Sequence, residues 1–120
     1  MARTSRSAPV TDARLTEQLA RLVMGWKVAP DRFLMKNRRW LPRWRFQPMA
    51  KLGDACRLLQ SAAPQEYAMG ATGSGEFWAR VRVADTTGEA RESSQARAVT
   101  FAVARAIGIE PDGALEGKKR

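Results

Sequence analysis

Between Gly25 and Pro48 the sequence GWKVAPDRFLMKNRRWLPRWRFQP gathers five of the chain's nine aromatic side chains, seven of its cations and three prolines. Trp26, Phe33, Trp40, Trp44 and Phe46 compete for a core that Lys27, Arg32, Lys36, Arg38, Arg39, Arg43 and Arg45 cannot enter. Pro30 and Pro42 exclude a long helix and confine strands here to sheet edges or interrupted runs. Two strand-like runs are therefore expected, over 26–35 and 40–46. In the second, Trp44 and Phe46 alternate with Arg43 and Arg45. A pleated strand sends such rings to one face and the guanidiniums to the other. Trp26 and Trp44 are expected in the core. Trp40, between Arg39 and Leu41-Pro42, is the ring most expected at the surface. The segment Lys36-Asn37-Arg38-Arg39 is expected as an exposed, positively charged turn.

The flanking sequence has clearer periodicity. Thr11 can cap a helix whose Leu15, Leu19, Leu22 and Val23 share one face, with Gly25 as a natural terminator. A second helix is expected over 49–62, with Pro48 near its start and Pro64 beyond its end. Its apolar stripe is Leu52, Cys56 and Leu59, widened by Ala55 and Leu58. Residues 65–70 read as a strand with Tyr67 and Met69 on one side, followed by a Gly/Ser-rich hairpin connection to Gly75. Strand 76–84 alternates Phe77, Ala79, Val81 and Val83 with Trp78, Arg80 and Arg82. The second face forms either another contact surface or the underside of a covering helix. After a polar loop, Ser93 or Ser94 caps a third helix over 94–107, whose apolar face is Ala98, Val99, Ala102, Val103, Ala106 and Ile107. Gly108 ends it.

The expected fold is α+β: a single, mainly antiparallel sheet of about four strands with three helices, in the order α-β-β-α-β-β-α and sandwich-like layers. The 120 residues suit one domain over 11–108, between a basic arm (1–10) and a tail (109–120).

Val23-Met24-Gly25-Trp26 directly after an amphipathic helix resembles the opening of the phage ABA-sandwich domain, a small family found in phage and prophage proteins. The likeness continues with Phe46-Gln47-Pro48 before a helix bearing Asp54-Ala55, and with the Ala-rich helix from Ala98 to Ala106. It covers residues 12–108. It implies an α/β sandwich in a mobile-element setting; the basic stretch over 32–45 departs from the family's pattern. Residues 66–107 also resemble the β-β-α end of a double-stranded-RNA-binding domain. The Lys-rich grip such domains place at the last helix is replaced here by Arg91-Glu92-Ser93-Ser94-Gln95-Ala96-Arg97.

Charge narrows the function. A net charge of +9 and a pI near 11.0 favour an acidic partner: nucleic acid, an anionic surface or an acidic protein. No apolar run reaches the roughly 20 residues that cross a bilayer, so no membrane is expected. The basic N-terminus has no apolar h-region and is not read as a secretory signal. One cysteine, Cys56, excludes an internal disulfide and fits a reducing compartment, so a cytoplasmic location is expected in a bacterial or phage-infected cell. The chain has no histidine, and Cys56 sits at an apolar helical position. Gly70–Gly75 lacks the Lys-Ser/Thr of a phosphate-binding loop. No enzyme, cofactor or metal site is expected.

The expected function is that of a small non-catalytic accessory of a phage or mobile element. It would bind nucleic acid, DNA or RNA, or a nucleoprotein complex. Arg38, Arg39, Arg43 and Arg45 would hold phosphates, Lys36 would add charge, Trp40 would stack, and Arg80 and Arg82 would offer a second contact face. The alternative is a protein-interaction module, an inhibitor or adaptor docking on an acidic protein through Trp40 and its arginines. The sheet edges also leave an oligomer open.

Overall fold

The computed structural model describes residues 11–111. The expected basic arm (1–10) and most of the expected tail (112–120) lie outside the described residues. Helix α1 (Asp12–Leu22) is capped by Thr11, whose side chain accepts from Arg14 N. Its buried residues are Leu15, Leu19 and Ala20. Gly25 takes φ +74°, a left-handed turn that costs glycine little, and Trp26 N–H reaches back to the Ala20 carbonyl.

The proline-broken stretch folds into a small antiparallel sheet of β1 (Lys27–Val28), β2 (Arg32–Leu34) and β3 (Trp40–Pro42). The expected single strand over 26–35 is thus a hairpin. Pro30 and Asp31 occupy a tight turn closed by Ala29 N–H to Arg32 O, and proline's fixed φ suits such a turn. The expected strand over 40–46 also stops early. After Pro42 the chain enters a 3-10 turn over Arg43–Arg45. That turn breaks the period of two, so Phe46 is buried while Trp44 is 63% exposed, contrary to the expected core position. Phe46 joins Trp26 and Phe33 in an aromatic trio with ring centroids 5.1–6.0 Å apart. Burying each phenylalanine contributes about 2–3 kcal/mol.

Helix α2 (Leu52–Ser61) starts three residues later than expected. Residues 48–50 form a turn, and Asp54 in the first helical turn accepts from Gln47 N at 2.9 Å. Its inward face is Ala55, Leu58 and Leu59, while Leu52 at the first position stays exposed.

A second antiparallel sheet holds β4 (Glu66–Ala71), β5 (Phe77–Val83) and β6 (Thr86–Glu92), with β5 central. The expected polar loop after β5 is β6, so the single four-stranded sheet is in fact two sheets of three strands. The inward residues of β6 are Gly88, Ala90 and Glu92. Helix α3 (Gln95–Ala106) lies against them so closely that a Cβ on Gly88 would strike the Ala102 oxygen and the Ala106 nitrogen. Ser94 caps α3 by accepting from Arg97 N, and Gly108 follows it at φ +92°. The helix is buried nearly all round because β5 and β6 cover one side and α2 another. Within that core Thr100 donates to the Pro48 carbonyl at 2.9 Å.

Candidate nucleic-acid interface

The register of the first sheet sorts its side chains. Phe33 lies opposite Val28 on one side and Leu41 on the other, and this row faces the core. One residue either way, the pleat must point outward. That places Lys27, Leu34 and Trp40 in one outward row and Arg32 with Pro42 in the next. The Arg32 guanidinium lies over the Trp40 ring, 4.3 Å from its centroid. Trp40 remains 50% exposed, in keeping with the expected surface position.

The β2–β3 connection continues this outer face. Asn37 Oδ1 accepts from Arg39 N, and Arg38 turns the chain at φ +68°. Met35 N–H bonds the Arg39 carbonyl and closes the loop. The result is a hollow of about 420 Å³ lined by Gly25, Lys27, Leu34, Met35, Lys36, Arg38 and Trp40. Its floor is apolar, its charged rim is Lys27, Lys36 and Arg38, and no carboxylate lines it. Among the described residues these three cations form no ion pair, whereas Arg32 pairs at 3.6 Å with exposed Asp31. An exposed pair of that kind is weak and leaves Arg32 free to exchange.

The other expected contact residues are distributed differently. Arg39 is exposed but does not line the hollow. Arg45 is exposed and lies over the Trp44 ring at 5.6 Å in the 3-10 turn. Arg43 is engaged internally: its Nε and Nη2 donate to the Ala29 carbonyl at 3.1 and 2.7 Å, its Nη1 meets Glu17 at 2.8 Å, and its guanidinium lies over Phe33. On the second sheet Trp78, Arg80 and Arg82 share the face away from α3, and no described helix covers it. There Arg80 meets Glu89 at 3.8 Å and Arg82 meets Glu66 at 3.1 Å. The Trp78 ring lies over Gly70, where a Cβ would come within 2.8 Å of its Nε1. This second face carries two exposed Arg–Glu pairs, with Arg91 opposite Trp78 as a further cation.

Lys27 and Arg32 join this surface although the charge pattern of the basic stretch does not single them out. Their signal is adjacency: each neighbours a core aromatic, Trp26 and Phe33, so each must face outward with Trp40. Half-buried Cys56 lies apart, beside Leu59, Tyr67 and Met69 between α2 and β4.

The fold is similar to that of a phage protein. That protein, from Bacillus cereus ATCC 14579, has a 2.0 Å crystal structure that matches with a TM-score of 0.68 over 87% of this chain and 94% of that one. Identity is 12%, so the likeness is one of fold alone. No family model matches the sequence, and no curated protein does. The ABA-sandwich resemblance therefore stands at the coarser level of a phage-protein fold. No helix among the described residues is long and apolar enough to cross a membrane.

Proposed function

We propose that this protein binds nucleic acid through the outer face of its first sheet, as a small non-catalytic accessory of a phage or mobile element. The observation that carries the reading is the sorting of cations. Lys27, Lys36 and Arg38 surround one hollow beside Trp40 without a carboxylate, while Arg43 is held by Glu17 and Arg80 and Arg82 each have a glutamate beside them in an exposed, weaker pair. Unpaired cations around a concave surface attract phosphates and release counterions when they meet them. The phage-protein fold supports the mobile-element setting. The non-catalytic part of this reading rests on the sequence, which lacks histidine, the usual proton shuttle near neutral pH.

The test is fluorescence anisotropy with labelled DNA and RNA across a salt series. Binding should weaken linearly on a log–log plot. The double change Lys36→Glu, Arg38→Glu should cost at least ten-fold, and Arg80→Glu far less. Equal affinity for the two variants would remove the hollow from the account.

A second reading rests on a different observation. Trp44, 63% exposed with Arg45 over its ring, lies outside the hollow, and an exposed Trp/Arg pair is the kind of anchor that protein interfaces use. An acidic protein partner would then bind with weaker salt dependence, and Trp44→Ala would abolish capture while leaving nucleic-acid binding intact.

A further inference from the structure

Resting on the reading that this face binds nucleic acid, we infer that its ligand is a single strand, with one unpaired base seated on the Leu34–Met35–Trp40 floor and its flanking phosphates on Lys27, Lys36 and Arg38. The floor is what separates this from general phosphate binding. A duplex keeps its bases stacked on one another and offers a protein groove its phosphates and base edges. Cations alone would hold it, and the apolar floor below them would have no occupant. An unpaired base has two free π faces, and an aromatic ring beside a cationic groove is the common means of holding one.

Three features prepare the hollow for such a ring. First, Leu34 and Trp40 are direct cross-strand partners, so the floor is built on paired backbone rather than on a loop. Second, Arg32 packs on Trp40 from further along β2, on the Pro42 side, and does not line the hollow. The guanidinium covers one face of the indole and so limits its rotation, which reduces the ordering cost of binding. Third, Gly25 makes room for Lys36. A Cβ at Gly25 would stand 2.5 Å from Lys36 Cε, so the lysine stem crosses the glycine to reach the rim. The hollow is open to solvent, and its volume of about 420 Å³ leaves room for one ring system against the floor. The side chains lining it carry donors but no acceptor, so they cannot accept from a base's amino group, and stacking carries most of the discrimination between a base and none.

The experiment compares three labelled ligands of matched length at one salt concentration: a single strand, its duplex, and a single strand of abasic sites. Each is titrated with wild type, Trp40→Ala and Trp40→Phe. Because Trp40 is half exposed, both variants should fold, and circular dichroism checks this. The single strand should bind wild type roughly ten-fold more tightly than the abasic strand or the duplex, the scale of one base–aromatic stack. Trp40→Ala should erase that difference, and Trp40→Phe should keep most of it. Equal binding of the normal and abasic strands, or a preference for duplex, overturns the inference and leaves phosphate binding standing. Failure of all three ligands to bind overturns both.

Discussion

Arg38 and Arg43 come from the same basic stretch, yet their surroundings give them different work. Arg43 satisfies the Ala29 carbonyl and Glu17 where both partners are about two-thirds covered, so its loss strands a carbonyl and a carboxylate. Arg43→Ala should lower stability by about 2 kcal/mol, read as a shifted urea midpoint, with little loss of nucleic-acid affinity. Arg38 is held at φ +68°, a conformation that costs a side-chain-bearing residue about 1 kcal/mol. Arg38→Gly should therefore raise stability by up to about 1 kcal/mol while weakening binding several-fold. A simultaneous loss of stability and affinity would mean that Arg38 holds the hairpin together rather than facing a ligand. Composition alone cannot separate these two arginines. The difference arises from the 3-10 turn after Pro42, which brings Arg43 toward α1 and leaves Trp44 in solvent.

Among the elements, α3 and β6 make the most sensitive contact. Gly88 lets the helix backbone sit directly on the strand, so Gly88→Ala should cost about 3 kcal/mol or prevent folding, measured by thermal melting. Thr100→Val should cost about 1–2 kcal/mol, because it leaves the buried Pro48 carbonyl without its donor. All three helices were legible in the sequence. Their apolar residues recur at helical spacing, and Thr11, Ser94 and Gly108 act at the ends as their chemistry implies. Strand β6 was not legible, since beyond Thr86 and Thr87 its Gly-Glu-Ala-Arg-Glu has neither the branched nor the aromatic residues that mark strands. It forms because a small-residue face at Gly88 and Ala90 meets the Ala-rich side of α3, a complementarity visible only in three dimensions. The short β1–β3 sheet was partly legible. Its prolines announced interruptions, but the tight turn at Pro30 and the switch to 3-10 geometry after Pro42 depend on tertiary packing.

Across the whole molecule, two three-stranded sheets divide the exposed charge. The outer face of the first sheet is cationic around an apolar floor, and that of the second sets two Arg–Glu pairs beside Arg91. If three or four phosphates engage the first face, a single strand should show a log–log salt slope of about −2 to −3. A steeper slope would require further contacts. The four tryptophans mark four distinct environments: Trp26 in the core, Trp40 at the hollow, Trp44 on the 3-10 turn and Trp78 on the second sheet. Their indole N–H signals in a two-dimensional nitrogen–proton NMR spectrum therefore report directly which surface a ligand touches. Titrating a short single-stranded oligonucleotide should shift the Trp40 indole and the amides of Gly25, Lys27 and residues 34–38, leaving the Trp44 and Trp78 indoles in place. Saturable shifts centred on Trp78 or Trp44, or no saturable shift at all, would contradict the assignment of the first sheet's outer face as the binding surface.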